Sequence, residues 1–186
     1  KTMGSYDAPC IRSLLQLMES QSKETIARWC LGYAEAEILP IFEKRCPGDL
    51  WPRRTLEAAR AWFSGLVKLP AVKHIILNEC HAAARELAQD PAAQAAARAV
   101  GQAASCCHVP GHALGLAFYG GAAVAYDRVG LEENAAVYER IAEEACEKMA
   151  SALRETAAAQ PHGQAGTSGN AGFSDIPPIP HTAPPP

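Results

Sequence analysis

From Ala99 to Tyr126 the chain reads AVGQAASCCHVPGHALGLAFYGGAAVAY, without one Asp, Glu, Lys or Arg. A stretch that long without charge belongs in the interior, because apolar burial drives folding and an unpaired buried charge opposes it. Two histidines interrupt it, His108 and His112, four residues apart with Pro110 between them. Buried polar groups need hydrogen-bond partners, so a fold that buries this stretch must supply them. The stretch is long enough to span a bilayer. Gln102, Ser105, the two histidines, Pro110 and several glycines instead favour two buried helical segments, and no membrane association is expected.

The rest of the chain points the same way. Alanine is abundant, aromatics make up 6% of residues, and alternating runs of Val, Ile and Thr are absent. That composition predicts an all-α protein, and 186 residues suffice for a single domain. The first helix is predicted from about Pro9 to Ser20. Ser22 caps a second, with Ile26, Trp29, Cys30, Tyr33, Ile38 and Phe42 at helical spacing and a kink or restart at Pro40. Pro52 opens a third, with Trp51 expected to be exposed in the loop before it, and Pro70 opens a fourth. Asp90-Pro91 is the cleanest start signal, a capping side chain followed by a first-turn proline. The fifth helix runs from there toward His108. Pro110 bends or divides it from a sixth, which ends near Asp127. Gly130 turns the chain into a last amphipathic helix with Leu131, Ala135, Tyr138, Ile141, Ala145, Met149 and Leu153 on one face. The expectation is one domain over residues 9–157, of about seven helices in antiparallel pairs, with a central helical hairpin bent near Pro110. Residues 1–8 read as a flexible N-terminus. Residues 158–186, rich in Pro, Gly and Ala, read as a tail unable to form a core.

Charge and cysteine usage narrow the function classes. The formal net charge is -3. With no Lys/Arg stripe and no aromatics interleaved with basic residues, a nucleic-acid partner is not expected. Seven cysteines without a C-x-x-C, and no signal peptide, suit reduced, buried thiols in a cytoplasmic protein. A vicinal disulfide or soft-metal site at Cys106–Cys107 is disfavoured, because adjacent helical residues point in different directions.

The polar residues of the charge-free stretch form a line. Arg98, Gln102 and Ser105 recur at i, i+4 and i+7, and His108 and His112 continue roughly along that ridge. Candidate partners are Glu35, Arg53, Glu57, Arg60, Glu79, His81 and Arg85. A hydrogen-bonded network fixing helix register is the plainest reading, and recognition of a partner comes next. A metal site on His108 and His112 has the right i,i+4 spacing. It lacks the Glu of H-E-x-x-H, and a third ligand would have to come from His81, Glu79 or a cysteine. Acid–base catalysis by a histidine with Glu35 or Glu79 has neither a nucleophile nor a phosphate-cradling loop beside it. No catalytic residue, metal or cofactor is expected.

Several short runs, taken in order, point further. They are Arg28-Trp29-Cys30; Ala34-Glu35; Leu39-Pro40-Ile41-Phe42-Glu43; Pro52-Arg53; and Leu56-Glu57-Ala58-Ala59-Arg60-Ala61-Trp62. After them come His81-Ala82-Ala83-Ala84-Arg85; Ala97-Arg98-Ala99-Val100-Gly101-Gln102-Ala103-Ala104; and His108-Val109-Pro110-Gly111-His112-Ala113-Leu114-Gly115. Together, over roughly residues 24–126, they resemble the immunity-five-like helical family of bacterial immunity proteins from polymorphic toxin systems. The resemblance implies binding and not chemistry: a non-catalytic module that holds a cognate toxin in the cytoplasm. A homodimer is a separate expectation, from the opposite charge of the basic segment 44–73 and the acidic last helix. Glu35, Arg53, Arg60, Arg98, Gln102, His108 and His112 fall on the family's recurrent polar positions and are the binding candidates. Positions shared across a family also suit a structural role. The acidic last helix, with Glu132, Glu133, Glu139, Glu143, Glu144 and Glu147, is therefore the other candidate surface. The alternative function is a small-molecule- or metal-binding helical protein, or an enzyme, using the His108/His112 region.

Overall fold

A cap or a proline marks the start of most helices in this chain, and the helices begin where those signals stand. The computed structural model describes residues 3–159, apart from the side chains of residues 77–79 and 81. The order is α1 (Pro9–Glu19), α2 (Lys23–Tyr33), a π-helical turn (Ala34–Ile38) and α3 (Leu39–Arg45), then α4 (Trp51–Phe63) and α5 (Leu69–His74). A second π-helical turn (Ile75–Cys80) follows, then α6 (His81–Glu86), α7 (Pro91–Ser105), a 3-10 turn (Pro110–His112), α8 (Ala113–Val129) and α9 (Ala135–Ala158). Each π turn runs into its neighbours without a break. The helical stretches therefore make seven rods among the described residues, as expected, and the fold is all-helical.

The interruption expected at Pro40 takes the form of the first π turn. Proline has no N–H for the carbonyl four residues back, and its ring presses on that carbonyl. One extra residue is accommodated just before it, so that the Leu39 N–H reaches the Ala34 carbonyl. Ser22 caps α2, its side chain accepting from the Thr25 N–H. The Asp90 side chain caps α7 through the Ala93 N–H at 3.0 Å.

Three placements differ from expectation. The fifth helix stops at Ser105, short of His108, because Val109 is extended (φ -134°, ψ 97°) ahead of Pro110. The hairpin is thus two helices joined by a short turn. Leu131 is 57% exposed in the turn and not on a helical face. The last helix starts only at Ala135, where Asn134 caps it through the Val137 N–H. Trp51 is the first residue of α4 and not an exposed loop residue: it is half-buried, its ring edge-on to Phe42 with centroids 5.3 Å apart. Its indole Nε1 is buried without a partner among the described residues.

The charge-free stretch forms the centre. Every residue of α8 from Ala113 to Ala123 is buried, and α7 and α8 share more close contacts than any other pair of elements. Small residues make this possible on both sides. A methyl group on Gly115 would lie 2.6 Å from the Gln102 side chain of α7. On the other side, one on Gly120 would lie 2.9 Å from Met149 Cε and one on Gly121 3.3 Å from Ala142 Cβ, both on α9. Trp29 of α2, 1% exposed, donates its indole N–H to the Met149 carbonyl of α9 at 3.0 Å. The segment ahead of α1 also touches α8: the Met3 N–H donates to the Phe118 carbonyl at 3.3 Å, and the Tyr6 ring meets Phe118 edge-on. No described helix is long and apolar enough to cross a membrane. Of the tail expected over residues 158–186, Ala158 ends α9, and the residues from 160 onward lie outside the described residues.

Candidate functional site

The candidate residues come from the π turn that follows α2, from α4, and from the α7–α8 hairpin with its connecting turn. They do not converge on one point. Glu35 sits in the π turn that follows α2, and Arg60 reaches it from α4 with both guanidinium nitrogens, at 2.8 and 2.6 Å. The same guanidinium donates to the Leu31 carbonyl at 3.4 Å. The Arg60–Glu35 hydrogen bonds hold the Glu35 carboxyl below its usual range, against an opposing effect of burial. Two turns earlier on α4, Arg53 pairs with Glu43 of α3 at 2.7 Å, and not with Glu35. The two pairs, 35–60 and 43–53, run antiparallel and lace α4 to the α2–α3 rod. Their side chains are each about two-fifths exposed, so the ladder faces water and contributes modestly to stability.

The end of α7 wedges into the same region. The Cys106 thiol donates to the Ala103 carbonyl of its own helix at 2.8 Å, and Cys107 Sγ lies 4.0 Å from the Ala59 carbonyl of α4, next to Arg60. Beyond it, His112 Nδ1 and Gln102 Oε1 are 2.8 Å apart, a bond that closes the α7–α8 hairpin across Gly115. Burial holds the His112 ring below the ordinary imidazole value. His108 shares that direction, from burial first and then from Lys73 and His112. Its Nδ1 is buried with no partner among the described residues. The two imidazole rings are 6.1 Å apart, centroid to centroid. Farther up α7, Arg98 lies over the Tyr119 ring of α8 at 5.8 Å, a cation–π contact. Ser105, also on the polar line, bonds back to its own helix at the Gly101 carbonyl.

The polar line therefore serves mainly to join helices. Among the described residues no group of three His, Cys, Asp or Glu is placed to hold a metal ion. The Glu79 and His81 side chains, named above as possible third ligands, lie outside the described residues. A shallow groove of about 350 Å³ lies elsewhere, between α2 with its π turn and α9, and includes Arg28, Trp29, Tyr33, Glu37, Lys148 and Glu155 in its lining. None of the seven candidates lines it.

A family model described as "Imm-5 like putative immunity protein" matches residues 16–152. The chain belongs to the Imm-5-like family. The Imm-5-like match takes in α9 as far as Ala152, so the last helix, outside the motif resemblance, is part of the family domain. No curated protein and no solved structure matches the chain.

One charged junction of this Imm-5-like chain joins three helices and was not among the candidates named from the sequence. Arg45, at the end of α3, donates to Asp90 at 3.1 Å and to Asp127 at 3.1 Å, and Lys44 joins Asp127 at 3.1 Å. Asp127 lies near the end of α8, and Asp90 is the cap of α7. Burial raises the Asp127 carboxyl, but its bonds to Lys44 and Arg45 win and hold it low. A signal for this junction was present: Asp127 closes the charge-free stretch, and Asp90 is the clearest cap in the chain.

Proposed function

We propose that this chain is an immunity protein: a non-catalytic, cytoplasmic module that binds a cognate bacterial toxin and blocks it. The observation that carries the reading is the family match over residues 16–152. The internal pairing supports it. Arg60 with Glu35, Arg53 with Glu43, Gln102 with His112 and Arg98 with Tyr119 are engaged within the fold, as register-fixing residues would be. Toxin contact then falls to surfaces outside these pairs. Two such surfaces stand out. One is the α4–α5 connection, with Leu66 at 79% and Val67 at 37% exposure next to Lys68. The other is the outer face of α9, with Glu139, Glu143 and Glu147 exposed.

The test is rescue of growth by co-expression with each toxin candidate encoded beside this gene. Rescue by the wild-type chain is expected, and failure with every neighbouring candidate would refute the proposal. Two charge-and-shape variants then locate the surface. Leu66→Asp with Lys68→Glu disables the α4–α5 connection, and Glu139→Lys with Glu143→Lys disables α9. The variant that folds normally but loses rescue identifies the toxin-facing side. If His108→Ala and Arg60→Ala abolish rescue at wild-type stability, the candidates are recognition residues and not register-fixing ones.

A further inference from the structure

The turn that ends α4 is tightly built, yet it leaves its apolar residue in water. The Leu66 N–H donates to the Ala61 carbonyl at 2.8 Å and the Gly65 N–H to the Trp62 carbonyl at 2.9 Å. Gly65 stands in the left-handed region at φ 74°. This is a Schellman motif, in which the residue in the place of Leu66 commonly packs back on the side chains five or six residues before it. Here those are Ala61, a single methyl group, and Arg60, whose guanidinium is turned to Glu35. Leu66 therefore stays 79% exposed, with Val67 beside it at 37%. Trp62 and Phe63, one turn earlier, are also partly exposed. The other exposed large apolar side chains among the described residues stand singly along the chain. The charge of this segment is one-sided. Glu57 is the only carboxylate between Trp51 and His74. Arg53 and Arg60 are held by carboxylates of neighbouring elements. Arg54, Lys68 and Lys73 are exposed, without an ion-pair partner among the described residues.

We infer that the α4–α5 turn, and not α9, is the surface that seats on the toxin, and that the toxin offers it an apolar pocket rimmed by carboxylates. The inference rests on the toxin-binding reading above. Leu66 is the anchor, and Lys68 meets the rim. The hydrogen bonds of the turn hold it in one shape before contact, so little conformational freedom is lost when the leucine is buried. In such an interface a few central apolar residues carry most of the affinity, and a rim charge sets chiefly how fast the partners meet. The outer face of α9 offers carboxylates without such an anchor. Its apolar residues Ile141, Met149 and Leu153 are buried, and Leu131, exposed in the turn ahead of it, has no exposed apolar neighbour in sequence. A lipid surface fits the α4–α5 turn less well. Binding there calls for a helix with a long apolar face or a covalent lipid, and this turn puts out only Leu66 and Val67.

The test measures association and dissociation rates between the full chain and the toxin it neutralises in cells, supplied in a catalytically dead form, at low and at physiological salt. Leu66→Asp should weaken binding about 30-fold or more, and Leu66→Met should keep it within about threefold. Lys68→Glu should weaken binding about fivefold, mostly through slower association and more at low salt, and Lys68→Arg should not. Both positions are exposed, so each variant should keep the wild-type thermal midpoint. Three results would overturn the inference and leave the toxin-binding reading standing: unchanged affinity in Leu66→Asp, tighter binding in Lys68→Glu, or a loss confined to Glu139→Lys with Glu143→Lys. Sedimentation with phosphatidylglycerol vesicles, or self-association of the chain, that disappears in Leu66→Asp would also overturn it, by giving the turn to a lipid surface or to a second copy. A wild-type chain that neutralises no neighbouring toxin would remove the toxin-binding reading itself, and this inference with it.

Discussion

At Gly115 a single missing methyl group sets the geometry of the hairpin. An added Cβ would meet Gln102 at 2.6 Å and push it off His112. Gly115→Ala should therefore destabilise the chain by about 1–3 kcal/mol, although alanine is the better helix former. Urea unfolding checks this, and an unchanged midpoint would show that Gln102 has room to move. The histidines make the second residue-scale prediction. Burial lowers His108 and His112, so the unfolded chain binds protons at these rings more readily than the folded one. Their contribution is whole above about pH 6.5 and is lost as the pH falls below that value, through the lower folded values. Glu35 and Asp127 are held low. Their contribution is present above about pH 4 and is lost on further acidification through their folded values. Urea midpoints measured against pH should fall in these two windows, and a flat profile between pH 7.5 and 5.5 would contradict the first.

Between elements, the charged side chains differ in worth according to exposure. The Arg60–Glu35 pair is bidentate but about two-fifths exposed. A double-mutant cycle with Arg60→Ala and Glu35→Ala should give a coupling of only about 0.5–1 kcal/mol. Asp90 has two functions, capping α7 and pairing with Arg45. Asp90→Ala should cost about 1–2 kcal/mol, while Asp90→Asn, which keeps a capping oxygen, should cost clearly less. Equal losses in the two variants would assign the effect to charge. These elements were unevenly legible beforehand. Ser22, Asp90-Pro91 and Pro110 announced themselves, because caps and prolines act on their own neighbours. The form of the π turn at Ala34–Ile38 did not, because Pro40 announces an interruption without fixing its geometry, and the start of α9 went unread although Asn134 is a local cap.

For the molecule as a whole, α8 is the shared wall between α7 and α9. Gly120 and Gly121 leave no spare space on the α9 side. Gly121→Leu should force α9 away from α8 and with it the Trp29–Met149 bond that ties α2 to α9. The expected result is a loss of about 1–3 kcal/mol or more and a broadened thermal transition, followed by near-UV circular dichroism. A variant with wild-type cooperativity would show that α9 docks mainly through α1 and α2.

The sequence alone determined the helical class, the positions of most helix starts and the burial of the two helical arms within residues 99–126, although the turn between them reaches the surface at Val109. Each of these follows from local chemistry: helix propensity, capping, proline geometry and the cost of burying charge. It also singled out Arg60, Glu35, Gln102 and His112 as residues in need of partners. Only the tertiary structure decided who those partners are. It sent Arg53 to Glu43 and tied Arg45 to the start of α7 and the end of α8. Those contacts depend on how close two rods can come and at what register, which small residues far apart in the sequence set jointly.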